Sequence, residues 1–182
     1  MEKEITFREW AILSKFSSNT ENLDMVGFTN PNKIGKFETP KDLNSMTIGQ
    51  MVELSTCKNG IETFYKACEV LTKMSRKEVD ESKATEVVRF VGWVVESVKK
   101  INDMFDRIKI KPSSEQQRAG IEDLNFGIFG LVDWYAKRMG ITDHEDVMSV
   151  TWVRVYKCLE MDNKTSEFQK RLIKVYEDEH RG

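Results

Sequence analysis

A run of apolar residues between positions 87 and 108 constrains the fold more than any other feature of this sequence. Its members recur at steps of 4, 3, 4, 3, 4 and 3, as the a and d positions of packed helices do: Val87, Val91, Val94, Val98, Ile101, Phe105 and Ile108. This spacing predicts one long helix. Val88, Phe90 and Trp93 widen the apolar stripe beyond the seam of a two-stranded coiled coil. We therefore expect the central helix of a bundle, with a self-associating coiled coil as the alternative.

Shorter stretches before this run also have helical spacing. Residues 5–16 form an amphipathic pattern that Thr6 can cap, and apolar spacing resumes over residues 45–55. Ser75 and Glu78 have the spacing of a capping box, which predicts a short helix directly after Ser75. The sequence therefore predicts a mainly α protein, a helical bundle of six to eight helices with a long irregular N-terminal arm.

The last third of the chain predicts further helices. Ser113 or Ser114 can cap a helix that runs towards position 139 and that Gly120 or Gly127 can interrupt. Gly140 follows two basic residues, as the glycine after a helix C-terminus often does. We expect this helix to end there.

Two more helices are predicted after this glycine. Thr142 and Glu145 have the spacing of a capping box and predict the start of the first one. The polar residues 163–165 predict a junction before the last helix. Both helices have apolar residues at helical spacing: Val147, Met148, Val150, Trp152, Val155 and Leu159 in the first, and Phe168, Leu172, Val175 and Tyr176 in the second.

Residues 17–44 differ in composition from the rest and predict the irregular part of the arm. Glycine, proline, serine, threonine and asparagine are frequent there, and the large apolar residues are isolated: Phe28, Ile34 and Phe37. Irregular segments of this length often act as binding loops or functional arms. We therefore divide the chain into an N-terminal helix with its irregular arm, residues 1–45, and a helical domain, residues 46–182, of which residues 112–182 are the C-terminal subregion.

Composition and charge argue against several classes of function. The 182 residues include 28 Lys and Arg and 30 Asp and Glu, a net charge of −2, which gives no electrostatic reason to expect affinity for nucleic acids or membranes. The three cysteines have no CxxC spacing, so we expect reduced thiols and synthesis in the cytosol. The N-terminus lacks the apolar stretch of a signal peptide, and the longest apolar run, residues 87–95, is too short to span a membrane.

Two residues are candidates for chemistry, and both have a simpler explanation. Cys57 has polar neighbours, which makes it the candidate nucleophile of a small hydrolase or transferase. His144 stands beside Asp143, Glu145 and Asp146, which are metal-binding residue types. Consecutive residues fan around a helix instead of converging, however, and acids in a first turn favour the helix dipole without a metal. We therefore expect no enzyme, no metal site and no cofactor.

Residues 136–159 resemble a helix-turn-helix, which is the alternative that would make the chain a DNA-binding regulator. Asp146 falls where that motif needs a buried aliphatic residue. Charge is unfavourable as well, since residues 120–160 contain seven acids and only four bases, Lys137, Arg138, Arg154 and Lys157. We therefore expect no nucleic acid among the partners.

Large apolar side chains are plentiful enough to serve contacts with other proteins as well as the core. The chain has four Trp, ten Phe and nine Met, and these residue types are favoured in protein interfaces. The glycines of residues 127–131 allow a helix to pack closely, either internally or on another subunit. The interface residues that we predict are Trp10, Phe28, Phe37, Phe126, Phe129 and Trp134.

A pattern of residues in the C-terminal third carries a family resemblance. In chain order it comprises Pro112, Gln117, Arg118, Ala119, Gly120, Ile121, Leu124, Phe126, Gly127, Asp133 and Ala136, then Val147, Trp152 and Val153, then Phe168, Gln169, Lys170, Arg171, Leu172 and Tyr176. A threonine-led segment, residues 46–54, precedes it. Over residues 46–176 the chain resembles small helical proteins that tailed bacteriophages encode among their tail and head–tail genes.

This resemblance implies a non-enzymatic protein of the virion or of its assembly. Some proteins of this kind are tail assembly chaperones, which are absent from the mature particle, and others are permanent ring, connector or tail components. The resemblance implies other phage structural proteins as partners, a homo-oligomer, and a location in the host cytoplasm during assembly and then in the virion. No catalytic residues come with it, and residues 17–44 have no counterpart in it.

Overall fold

The computed structural model describes residues 4–14, 29–56, 60–110 and 112–180, without the side chain of Glu122. Over these residues it contains nine α-helices, one short 3₁₀-helix and one two-stranded antiparallel sheet. The predicted mainly α fold is confirmed. The described residues have more helices than the six to eight expected, because the chain between positions 113 and 148 is divided into short ones.

The elements follow one another in a simple order. They are α1 (Phe7–Leu13), β1 (Lys33–Ile34), β2 (Phe37–Glu38), α2 (Ile48–Ser55), α3 (Gly60–Thr72), α4 (Arg76–Glu81), α5 (Ala84–Arg107), α6 (Ser114–Arg118), the 3₁₀-helix (Ile121–Leu124), α7 (Gly127–Met139), α8 (His144–Met148) and α9 (Trp152–Glu179).

The chain forms two compact units, Met1–Ile101 and Asn102–Gly182. This division differs from the predicted one between residues 45 and 46. Ile34, Leu43 and Met46 are all buried in the first unit, so residues on both sides of the predicted boundary contribute buried side chains to the same unit.

Aromatic side chains form the centre of the first unit. Phe7 is fully buried, and its ring centroid lies 5.3 Å from that of Trp10 and 5.4 Å from those of Phe64 and Tyr65. Full burial of a side chain of this size contributes roughly 1.5–3 kcal/mol. α1 is therefore fixed to α3 by its one fully buried phenylalanine, and the backbone N–H of Phe7 also donates to the carbonyl of Ser82 at 2.8 Å.

The heptad run forms one long helix, α5, as its spacing predicts. Val87, Val91 and Val94 are buried in the core of the first unit. Because this part of the stripe packs inside the chain, it agrees with the bundle interpretation of the heptads. Ile108, the last member of the run, lies in a turn just beyond the helix.

Capping boxes begin several of the helices. In each one a hydroxyl accepts the backbone N–H of the third helical residue, whose own side chain accepts the backbone N–H of the capping residue. The pairs are Thr6–Glu9, Thr47–Gln50, Ser75–Glu78 and Ser113–Gln116. The caps predicted at Thr6, Ser75 and Ser113 are confirmed.

Residues 33–38 form a β-hairpin inside the segment predicted to be irregular, so that prediction is wrong here. The two strands are antiparallel, with Ile34 opposite Phe37. Gly35 has a φ of 56°, a left-handed conformation that glycine adopts without strain. Strands of two residues leave almost no local pattern, and burial of Ile34 in the core stabilises the hairpin. Residues 17–28 lie outside the described residues.

The second unit is built around α7, α8 and the first half of α9. Its buried side chains are Val132, Tyr135, Ala136, Val147, Trp152 and Val155. At the end of α5, the ring centroid of Phe105 lies 6.3 Å from that of Trp152 and 5.4 Å from that of Tyr156. These three aromatic side chains join the start of α9 to the segment that precedes α6.

One local prediction for the second unit needs extension and another needs correction. The helix expected from position 113 towards 139, which Gly120 or Gly127 could interrupt, is interrupted at both Gly120, with a φ of 78°, and Gly127, with a φ of 55°. Asp143 caps α8 instead of Thr142, because its carboxylate accepts the backbone N–H of Glu145 at 2.9 Å. An aspartate next to the first helical residue thus takes the role expected of the threonine.

The junction predicted at residues 163–165 does not exist, because α9 continues through it. Asparagine and threonine cost at most about 0.7 kcal/mol each within a helix, which is too little to end one. The side-chain amide of Asn163 also donates a hydrogen bond to the carbonyl of Ile108. A tertiary contact therefore stabilises the helix at the point where its sequence is least favourable.

Candidate interaction surface

The turn before α7 places three large apolar side chains on the surface. Gly127 takes a left-handed conformation, and its backbone N–H donates to Oδ1 of Asn125 at 3.0 Å. This turn fixes Leu124 and Phe126 ahead of the helix, and Phe129 follows in the first turn. Their exposed fractions are 63%, 65% and 60%. We call Leu124, Phe126 and Phe129 the exposed apolar segment.

Exposure of the segment is costly for an isolated protein. Apolar surface in water costs about 25 cal/mol per Å². Single exposed apolar residues are nevertheless common on protein surfaces and need no explanation. A group of large ones within six residues is a marker of binding to another molecule. Phe126 and Phe129 are also three residues apart at the start of a helix, a spacing that puts both rings on one side. The segment therefore has the composition of an interface centre.

Polar side chains stand beside the segment. The ring of Phe129 meets the imidazole of His144 edge-on, with centroids 5.2 Å apart. Nε2 of His144 lies 3.6 Å from Oδ1 of Asp133, whose other oxygen accepts a hydrogen bond from Lys137 at 2.7 Å. The hydrogen bond from Lys137 lowers the pKa of Asp133. An apolar centre with a charged border is the usual arrangement of a protein interface.

The residues considered for chemistry are not brought into a reactive arrangement where the structure describes them. His144 contacts Phe129 and Asp133, and among the described residues no three His, Cys, Asp or Glu side chains could hold a metal ion together. Cys57 lies outside the described residues. Cys68 is fully buried, and burial raises the pKa of its thiol to about 12, which keeps it protonated and unreactive.

Of the six predicted interface residues, the two phenylalanines of the exposed apolar segment are the ones that the structure exposes by more than half. Trp10 and Phe37 are half-buried and pack against the core of the first unit. Trp134 is half-buried, with its ring centroid 6.1 Å from that of Tyr135. Phe28 lies outside the described residues.

Sequence reasoning missed Leu124 and did not foresee the exposure of the second half of α9. It predicted only a helix with apolar residues at helical spacing there, and Met161, Phe168, Val175 and Tyr176 are each more than half exposed. A signal was present in the sequence, since these residues fall on the side of the helix opposite to Trp152, Val155 and Leu159 when about 100° is allowed per residue. Because the predicted junction divided α9 in two, the change of face within a single helix could not be seen.

The region that resembles a helix-turn-helix has features that disfavour DNA. α7 ends at Gly140 in the left-handed conformation, as predicted, and α8 is a single five-residue helix on which Asp146 is exposed. Most of the bases in this region already contact acids, which reduces the positive charge open to phosphates. The pairs are Lys137–Asp133 at 2.7 Å, Arg138–Asp162 at 2.9 Å and Lys157–Glu160 at 2.9 Å.

Comparison with known proteins identified no relative of this chain. No family model, characterised protein or solved structure that we compared with this chain matches it. Within the described parts of the chain, none of the helices combines the length and the apolar character needed to cross a bilayer.

Proposed function

We propose that this chain is a non-enzymatic structural or assembly protein of a tailed bacteriophage, and that it works in the tail or head–tail region through protein–protein contacts. The observation that carries the proposal is the exposed apolar segment, Leu124, Phe126 and Phe129, at the start of α7. The segment lies within the part of the chain that resembles small phage tail and head–tail proteins. Its partners are other phage structural proteins.

The geometry of the segment supports binding to a protein partner. Hot spots of interfaces are aromatic side chains that are held in place before binding and are surrounded by polar groups. Phe129 rests against His144, and Asp133 and Lys137 provide the charged border. The turn at Gly127 holds Phe126 on a defined backbone, so little conformational entropy is lost when a partner covers the ring.

The proposal is tested in a phage that encodes this chain, with the gene deleted and supplied from a plasmid. A double variant, Phe126→Ser with Phe129→Ser, removes most of the apolar area of the segment. The matched control is Ile12→Ser, because Ile12 is also an exposed apolar residue but lies in the first unit. Loss of interface hot spots weakens binding by more than about tenfold. We therefore expect the double variant to lower the titre by about tenfold or more and the control to leave it unchanged.

The protein content of purified particles decides the type of assembly role. Detection of the chain in mature particles by mass spectrometry supports a virion component. A chain that is required for particles but absent from them supports a tail assembly chaperone. Normal particles in the complete absence of the gene would overturn the proposal, whereas normal particles from the double variant alone would overturn the role of the exposed apolar segment.

A further inference from the structure

The second half of α9 carries an apolar stripe that the described residues leave largely exposed. Met161, Phe168, Val175 and Tyr176 are each more than half exposed, and Leu172 between them is half-buried. At about 100° per residue these five side chains fall within a band roughly 100° wide. We call them the α9 stripe.

The stripe points away from the core of its own unit. Trp152 and Val155 are buried in that core and Leu159 is half-buried, and all three lie on one side of the first half of α9. The same rotation per residue puts the stripe roughly 150° around the helix from them. The side chains that cover the first half of the helix therefore cannot cover the stripe, and an apolar helix face in water is normally covered by a partner.

The spacing of the stripe is that of a coiled-coil seam. Positions 161, 165, 168, 172 and 175 follow one another at steps of 4, 3, 4 and 3, and all but Thr165 are apolar. Such a seam fits a second helix with the same spacing, because each side chain of the seam inserts between four side chains of the facing helix. A second copy of α9 offers that spacing.

Charges beside the seam select the direction of the second helix. One border of the stripe carries Lys164, Arg171 and Asp178 at intervals of seven, the g positions of the heptad. In a parallel pair, Lys164 and Arg171 would face the e positions of the other helix, which are Gln169 and Tyr176. In an antiparallel pair, g faces g, so Lys164 of each copy meets Asp178 of the other. The antiparallel pair therefore gains two ion pairs that the parallel pair lacks.

We propose that residues 161–179 bind the same residues of a second copy as an antiparallel pair of helices. Phe168 of one copy then packs opposite Leu172 of the other, and Thr165 opposite Val175. Lys164, which contacts Glu160 at 3.0 Å in the single chain, exchanges that exposed ion pair for one with Asp178 of the second copy. The two Arg171 side chains lie near the twofold axis, so their repulsion weakens the pair.

This pairing is independent of the proposed function, because it uses a different surface from the exposed apolar segment. It can fail while the phage assignment stands, and it can hold for a protein of any other role. The seam is short, so we expect a weak association, in which the fraction of dimer rises with the concentration of the full-length protein.

Sedimentation equilibrium of the full chain from roughly 1 µM to roughly 1 mM tests the pairing. We expect the average mass to rise from the monomer value of 21.2 kDa towards twice that value. Leu172→Asp places a charge in the seam and should weaken the dimer by about tenfold or more. Ile173→Asp is the matched control, because Ile173 is exposed and neighbouring but lies outside the stripe, and it should leave the dissociation constant within about threefold. Far-UV circular dichroism checks that both variants remain helical.

Charge variants test the antiparallel direction. Asp178→Lys and Lys164→Glu should each weaken the dimer by about fivefold or more, since each replaces two attractions by repulsions. The double variant, Lys164→Glu with Asp178→Lys, should restore most of the affinity, and Arg171→Gln should raise it by about twofold or more. A monomer at every concentration would overturn the pairing, as would equal effects of Leu172→Asp and Ile173→Asp. A double variant no tighter than the single ones would overturn the antiparallel direction.

Discussion

The side chain of Phe126 lies directly against the backbone of Gly130. A Cβ atom added at Gly130 would stand 3.1 Å from Cβ of Phe126, closer than side chains normally pack. The backbone N–H of Gly130 also donates to the carbonyl of Phe126, at 3.3 Å. The glycine thus allows the exposed phenylalanine to rest on the first turn of α7, and it contributes to the position of the exposed apolar segment.

Gly130→Ala should change the position of Phe126 more than the stability of the protein. Alanine gains up to about 1 kcal/mol of helix propensity, but its methyl group must displace Phe126, whose Cβ is attached directly to the backbone. We expect these effects to offset each other, with a change in the free energy of unfolding below about 0.5 kcal/mol in urea titrations. In the complementation assay we expect the titre to fall, as we also expect for the variant that removes Phe126 and Phe129.

Gly60→Ala is the control for this variant, because nothing lies within 4 Å of the added Cβ atom. It should keep the full titre. A Gly130→Ala protein that also keeps the full titre would show that Phe126 need not lie where the glycine allows it to lie.

Local chemistry explains which parts of the fold could be predicted. The long helix α5 follows from seven apolar residues at heptad spacing, and the caps at Thr6 and Ser75 follow from side chains only three residues away. The hairpin could not be predicted in this way. Its strands have two residues each, and Ile34 stabilises it by burial against residues far away in the chain.

The candidate site shows the same limit. The aromatic character of Phe126 and Phe129 predicts contacts with another protein, but whether a side chain is exposed depends on what else packs near it. Trp10 and Trp134 are aromatic too, yet both are half-buried. The apolar side chains of α9 have helical spacing in both halves of the helix. Only the continuity of the helix through residues 163–165 shows that the second half turns its apolar side away from the core.

Lys73→Gly should stabilise the first unit. Lys73 follows the end of α3 with a φ of 61°, in the left-handed region where a side chain is strained. Glycine removes that strain, and we expect a gain of about 0.5–1 kcal/mol in the free energy of unfolding, measured by urea titration. Lys73→Ala keeps the Cβ atom and should not give this gain.

Asn32→Gly provides a second comparison at the same backbone conformation, since Asn32 has a φ of 62°. Asparagine tolerates left-handed backbone better than lysine does, so the gain there should be smaller. Equal gains at both positions would mean that the lysine side chain adds no strain of its own.

Glu78→Gln should reduce the loss of stability in acid. The backbone N–H of Ser75 donates to the carboxylate of Glu78 and, with the Ser75 hydroxyl, lowers its pKa. A carboxyl group whose pKa is lowered on folding stabilises the native state above its unfolded pKa of about 4.3, and this contribution is lost as the pH falls through the lower folded pKa. The melting temperature of the wild type should therefore fall more steeply between about pH 5 and pH 3 than that of Glu78→Gln.

Glu81→Gln is the matched control for the pH series, because Glu81 lies on the same helix without capping it. The melting temperature of Glu81→Gln should fall with decreasing pH as steeply as that of the wild type. If Glu78→Gln also kept that slope, the capping carboxylate would not be a source of the acid sensitivity.

Cys68 should report the opening of the first unit. The side chain is fully buried, and burial raises the pKa of its thiol to about 12. At pH 8 the native protein therefore keeps this sulfur both protonated and covered, so iodoacetamide can react only after the core opens. In a variant with Cys57→Ser and Cys158→Ser, we expect labelling of Cys68 to be slow in buffer and fast in urea.

Phe90→Ala, which empties a fully buried site, should destabilise the unit by about 3–5 kcal/mol and raise the labelling rate in buffer. Labelling that is fast in buffer and insensitive to Phe90→Ala would mean that the segment around Cys68 opens locally, without loss of the core in which Phe90 packs.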